Sequence, residues 1–384
     1  MPTGPGDVLA LIRAGEATTR GALLEQTGLS RMTLSRRVDT LLSAGLVVDD
    51  GGAGASSGRR ARLLRFHADH AKVVAVAVDT THARIALTDL VAQPVAVEEI
   101  ALDVTDGPAP TLAAITAAVT ALLERTATPV SSVCGFGLSI PGPVDPLTGR
   151  PNQPPMMPGW DGYPMADEVA AALPGIPVVT ANDADAAAIG EERSRPSTTR
   201  AMCLLKVATG IGTGIIIDGR PYRGLDGGAG DIGHVRLRDH PDALCQCGAR
   251  GCLAAVASGR AVAAKLRERG IPAQSGRDVG RLVAHGNADA DQLTREAGQL
   301  IGEVLATVVC VLNPEVVVVG GAMSSAPLLA GLRETLYRLT PARATRHLTL
   351  EMGRLGDDAA VVGLAHAVVD EVFSAAAVNA RLGA

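Results

Sequence analysis

From Asp7 to Leu42 the apolar positions recur at helical spacing in three successive stretches. Asp7–Ala14 places Val8, Leu9, Leu11 and Ile12 on one face. Thr19 offers the side-chain oxygen of an N-cap to a second helix carrying Leu23 and Leu24, and Gly28 is placed to end it. Ser30 caps a third helix, Arg31–Ala44, whose stripe is Leu34, Val38, Leu41 and Leu42. The pattern then turns to strand over Gly45–Val48, a glycine- and serine-rich tip over 49–58, and a returning strand Arg60–Phe66. After Ala71 it becomes an alternation. Apolar strands at Val73–Asp79, Arg84–Leu90, Val133–Ser139, Val178–Ala181, Met202–Val207, Gly214–Ile217 and Val316–Val319 are separated by helical stretches such as Thr111–Leu123. Such alternation predicts α/β lobes with mixed sheets.

The length of 384 residues accommodates two or three domains, and 47% hydrophobic with 20% charged residues marks a globular chain. Only 2% are aromatic, so Ala, Val and Leu must fill the cores. No apolar run reaches the roughly 18 residues of a membrane span, and Met1–Gly6 lacks the basic and apolar regions of a signal peptide. The expectation is a cytoplasmic protein with no membrane partner. The net charge of −5 argues against nucleic acid, but its distribution argues the other way. Residues 30–65 hold seven arginines (31, 36, 37, 59, 60, 62, 65) against Asp39, Asp49 and Asp50, a local net charge of +4. A local basic patch attracts phosphates whatever the total.

A short turn between the second and third helices is what a helix-turn-helix requires, and the hairpin behind it forms a wing. The stretch Thr27–Arg36 resembles the recognition helix of winged-helix repressors. Arg31, Thr33, Ser35, Arg36 and Arg37 are candidates for phosphates and base edges of double-stranded operator DNA, with Arg59 and Arg60 at the wing. A three-helix interaction module with a solvated charged face is the plainer alternative.

Of six cysteines, Cys134, Cys203 and Cys310 lie singly in apolar segments, whereas Cys245, Cys247 and Cys252 fall within eight residues. Cys-x-Cys-x4-Cys with His234 eleven residues upstream supplies three thiolates and one imidazole, a set that suits structural, tetrahedral Zn²⁺ with no open position. Three loop cysteines beside an unrelated histidine is the other reading.

Four stretches together resemble the ROK family (repressors, open reading frames and kinases): Ser139–Asp145 followed by Pro151-Asn152, Asn182–Glu191, Gly227–His234 ahead of Cys245–Leu253, and Asn313–Gly321. The resemblance covers the chain beyond residue 71, and the winged helix in front matches the family's repressor branch. It implies an α/β, actin-like ATPase (ribonuclease H-like) domain of two lobes. On that reading residues 1–66 form the winged helix-turn-helix and 71–181 a small lobe. Residues 182–365 form a large lobe with the zinc loop, and a C-terminal helix over 366–384 returns to the small lobe. The resemblance also implies a homodimer or higher homo-oligomer.

By the same resemblance, Asn152, Asn182, Asp183, Asp231 and His234 are the sugar-binding positions, and the kinase counterpart of Asp183 is the general base. Asn182-Asp183 also reads as a helix cap, and both roles can coexist. Two positions depart from the family: Asp231 stands for a glutamate one methylene longer, and Ala254 for a glutamate. A third departure concerns ATP. The family's Asp-x-Gly-Gly-Thr phosphate turn is Asp79-Thr80-Thr81-His82-Ala83-Arg84 here, without either glycine, although Thr209-Gly210-Ile211-Gly212-Thr213-Gly214 remains. The sequence therefore predicts a non-enzymatic, sugar-responsive DNA-binding regulator. A sugar kinase with an appended DNA reader and a regulator set by a protein partner stay open beside it.

Overall fold

Three helices and a hairpin open the chain: α1 (Pro5–Arg13), α2 (Arg20–Thr27), α3 (Arg31–Ser43), β1 (Val47–Asp50) and β2 (Leu63–Phe66). The computed structural model describes residues 4–50, 62–196 and 199–383, so Arg59 and Arg60 lie outside the described residues. Thr19 Oγ1 accepts the Ala22 N–H, Gly28 ends α2 at φ +65°, and Ser30 accepts the Thr33 N–H. Val8, Leu9, Ile12, Leu23, Leu34, Val38 and Leu41 are buried in one core with Leu46, Val47 and Leu64 of the hairpin.

Two five-stranded sheets of matching layout follow. In the first, β3 (Lys72–Val78), β4 (His82–Thr88) and β5 (Pro94–Ala101) run antiparallel. Helix α4 (Pro108–Arg125) leads to β6 (Val133–Ile140), and α5 (Met165–Ala172) to β7 (Val178–Asn182). Both strands add in parallel to give the order β5-β4-β3-β6-β7. Helix α6 (Asp183–Arg193) then enters the second sheet, where β8 (Ala201–Val207), β9 (Ile211–Ile217) and β10 (Arg220–Pro221) form the antiparallel part. Four helices, α7 (Leu253–Ala257), α8 (Gly259–Glu268), α9 (Gly276–Ala284) and α10 (Ala288–Leu312), precede β11 (Val316–Gly320). After α11 (Ala326–Leu339) and α12 (Ala342–Thr345), β12 (Thr349–Met352) completes the order β10-β9-β8-β11-β12. Strand β5 was not among the predicted strands. It is an edge strand whose Val95 and Val97 stay exposed and whose adjacent Glu98 and Glu99 interrupt the apolar positions.

The C-terminal segment differs from the single helix expected from His366. It is α13 (Ala359–Val372) followed by α14 (Ala375–Leu382), because Phe373 and Ser374 break the run and Ser374 caps the second helix. Helix α13 packs on α6 and on the first sheet, and α14 packs on α1. The α6–α13 crossing is backbone against backbone. A Cβ at Gly190 would overlap the Ala359 carbonyl oxygen, and one at Gly363 that of Ala186. Only glycine fits such a crossing, which ties the two helices into one stiff unit.

Candidate functional site

A cavity of about 300 Å³ opens between the two sheets. Asn182, Asp183, Asp231 and His234 line it, together with Asp79, Thr80, Lys206, Arg260 and the turn Thr209–Thr213. Asn152 is not among the lining residues; its Nδ2 donates to the Asp226 carbonyl oxygen at 3.1 Å. Asn182 fills the cap position of α6. Its Oδ1 accepts from the N–H groups of Ala184 and Asp185 at 2.8 and 3.2 Å, and its Nδ2 donates to the Gly142 carbonyl at 2.9 Å. One amide thus aligns α6 and the Pro141–Pro143 turn along the cavity wall.

Asp183, buried at the first turn of α6, has a partner that sequence reasoning missed. Lys206, on β8, donates its ammonium to Asp183 Oδ2 and lies 3.6 Å from Asp79 Oδ2. Burial opposes the charge on Lys206, but the two carboxylates outweigh it and hold the ammonium above the ordinary lysine range. Burial pushes the Asp183 carboxyl above the usual range, with Lys206 acting against that shift. For Asp79 burial is overcome by Lys206, by His82 and by hydrogen bonds from Thr80, and its carboxyl is held low. A lysine within an apolar strand gives no sequence signal for this, since its partners lie 23 and 127 residues away in the chain.

Residues 79–82 form a tight hairpin. The Asp79 N–H donates to the His82 carbonyl at 2.8 Å, and Asp79 Oδ1 accepts from the Thr80 N–H at 2.6 Å. None of residues 79–84 has positive φ, so the β-branched pair Thr80-Thr81 sits without strain. Gly210 and Gly212 are different. A Cβ would meet nothing within 4 Å at Gly210 and only Ala184 Cβ at 3.7 Å at Gly212, and neither has positive φ. Packing does not require these two glycines, and both line the cavity. In a neighbouring cavity that shares Asp79, Asp183 and Lys206, Arg277 of α9 donates to both carboxylate oxygens of Glu99 on β5, at 2.5 and 2.9 Å, and lies 3.2 Å from His82 Nε2.

The cysteine loop lies against the same cavity. One ligand atom from each of His234, Cys245, Cys247 and Cys252 falls within 4.8 Å of every other. Cys245 Sγ is 3.6 Å from His234 Nδ1, and Cys247 Sγ is 3.7 Å from Cys252 Sγ. A tetrahedral zinc with bonds of about 2.3 Å to sulfur and about 2.0 Å to nitrogen sets edges of about 3.5–3.8 Å, so the donors fit. Burial, then the neighbouring thiols, push the Cys252 thiol up to about 12. Gly248 and Gly251, both at φ +83°, make the turns that bring the sulfurs together. His234 Nε2 is left 3.8 Å from Asp231 Oδ1, beyond hydrogen-bond reach, and both residues line the cavity.

On α3 the candidate DNA contacts divide between two faces. Thr33, Arg36 and Arg37 line a shallow groove with Met32, Thr40 and the end of α14. Ser35 turns the other way, within 3.4 Å of Arg20 Nη1 and 3.2 Å of Asp39 Oδ2. Arg31 and Arg36 are exposed, and so is Met32, at 69%, which the sequence reading did not single out.

The sequence profile of the ROK family matches residues 73–371. The chain is 26% identical over 383 residues to a xylose repressor of Caldicellulosiruptor bescii, covering 96% of this chain and 95% of that protein. A solved ROK family transcriptional regulator, a homolog of the E. coli MLC protein, superposes with a TM-score of 0.81 at 22% identity, covering 98% of each chain. A ROK family glucokinase from Streptomyces griseus, solved with glucose and AMPPNP, superposes with a TM-score of 0.65 at 26% identity. It covers 77% of this chain and 98% of the enzyme.

Proposed function

The chain belongs to the ROK family, and from that premise we propose that it is a sugar-responsive transcriptional repressor and not a sugar kinase. The observation that carries this reading is Lys206. Its ammonium pairs with Asp183 Oδ2, the counterpart of the kinase base, so this carboxylate faces the cleft with one oxygen already engaged by a cation. The glycine-free hairpin at Asp79–His82 supports the same reading, since Thr80 and His82 keep phosphates from the backbone. In the cleft, Asp183 and Asp231 accept from sugar hydroxyls and the imidazole of His234 borders them, while Asn182 holds the wall that presents them. Zn²⁺ bound by His234, Cys245, Cys247 and Cys252 supplies structural cross-linking only, because four protein ligands leave no position for water.

The winged helix binds operator DNA through α3, with Arg36 and Arg31 as its exposed cations. A homodimer presents two such helices to two half-sites. The full-length relation to a xylose repressor supports a pentose or hexose as effector. Operator sequences selected from a random duplex library, followed by anisotropy titrations with D-xylose, D-glucose and N-acetylated hexosamines, test the reading. A sugar that changes affinity supports it. A second reading, a kinase carrying a DNA reader, has Gly210 and Gly212 in its favour, because packing does not explain them. ADP release above background with any of these sugars would favour that reading.

A further inference from the structure

Helix α6 has one end in the cleft and the other beside the DNA-binding helices. Asp183 stands at its first turn and Arg193 at its last, 11 residues that span about 16 Å at 1.5 Å per residue. Arg193 Nη2 donates to Asp370 Oδ2 at 2.7 Å, and Arg13 Nη2, at the end of α1, donates to Asp370 Oδ1 at 2.7 Å. One carboxylate of α13 therefore holds an arginine from the effector side and an arginine from the winged helix, one on each oxygen. Arg13 is further fixed by donating Nη1 to the Phe373 carbonyl at 3.0 Å and by stacking 5.4 Å over the Phe66 ring of the wing strand β2. Phe66 meets Phe373 edge to face at 5.5 Å.

Resting on the repressor reading above, we propose that Asp370 is the positioning residue that couples the effector cleft to the DNA-binding helices. A ligand that moves Asp183 moves α6, and α6 carries α13 with it, because the Gly190 and Gly363 crossing leaves no room for one helix to slide without the other. The displacement reaches α1 through the Arg193–Asp370–Arg13 bridge and β2 through Phe66. The bridge adds little stability, since the Asp370 side chain is 42% exposed and exposed pairs contribute little. Its role is geometric, which makes it separable from folding.

The test is amide hydrogen exchange on the full chain, read over 5–13 and 31–43, for wild type, Asp183→Asn, Asp370→Asn and the double variant. Asp183→Asn removes the Lys206 ion pair and should alter exchange in α1 and α3 by about fivefold or more, the lower range for coupled sites. In the Asp370→Asn background the same change should leave α1 and α3 unaltered while still acting around residues 183–187. Arg193→Gln, which cuts the bridge on the α6 side and keeps Arg13–Asp370, should give the same result. Equal responses with and without the bridge overturn the proposal, and so does no response at α1 and α3 in either background. Neither sugar nor operator is present, so failure here leaves the repressor reading standing, and failure of that reading leaves this measurement valid.

Discussion

Replacing Lys206 by methionine keeps an unbranched side chain one atom shorter and removes its charge. Asp183 and Asp79, both drawn to Lys206, then face one interior space without a counter-ion. Breaking a buried pair from one side leaves an uncompensated charge at a cost of about 3–5 kcal/mol. The sign with pH follows from the direction of the shifts. Burial already raises Asp183 above its ordinary value, and without Lys206 its folded pKa rises further, while Asp79 loses the largest of the causes that hold it low. The folded variant then binds more protons than the unfolded chain, so the deficit relative to wild type grows as pH rises through that range and shrinks as pH falls. Urea unfolding followed by circular dichroism at about pH 8 and about pH 5 should show a large deficit at the first and a smaller one at the second. A deficit below about 1 kcal/mol at the higher pH, or one that ignores pH, would show that solvent screens the cluster as it does surface pairs. The role given to Lys206 would then fall.

Cys247→Ser removes one of four metal donors, and metal analysis should fall from one zinc per chain toward none while proteolysis increases within 227–254; full zinc in the variant would make the cysteines ordinary loop residues. Arg36→Ala should weaken specific operator binding by about 1–3 kcal/mol, whereas Ser35→Ala, on the face turned to Arg20 and Asp39, should change it little. The reverse order in anisotropy titrations would place the other face of α3 in the groove. His366 is held near 4 by burial and by Arg193, so its folded pKa lies below the unfolded 6.5. Wild type should therefore lose stability as pH falls from 6.5 toward 4, by up to about 3 kcal/mol, and His366→Gln should flatten that slope in pH-dependent thermal unfolding. An equal slope in both proteins would assign the acid sensitivity elsewhere.

What the sequence made legible was local. The caps Thr19 and Ser30, the stop at Gly28 and the stripe Leu34–Val38–Leu41 each depend on neighbours within a few residues, and α2 and α3 start and stop accordingly. The meeting of His234 with three cysteines was readable for the same reason, since Cys245, Cys247 and Cys252 lie within eight residues and only His234 comes from farther away. Long-range pairings carry no such mark. Lys206 looks like an ordinary strand residue until β8 is set beside α6 and β3. Asp370 and Arg13 are 357 residues apart, and nothing at either position points to the other. Asn152 shows the opposite case. Its motif placed it with the sugar residues, but its amide is drawn to the Asp226 carbonyl, outside the cavity lining.

The central claim is that a sugar in the cleft changes the grip of the winged helix on DNA, and one titration tests it most directly. The affinity of the full chain for its selected operator, measured by fluorescence anisotropy at fixed salt, should change by about fivefold or more with one sugar of the panel. The same sugar should leave the affinity of Asp183→Asn unchanged. An affinity that no sugar alters, together with ADP release from ATP in the presence of one of them, would contradict the account and make the chain an enzyme.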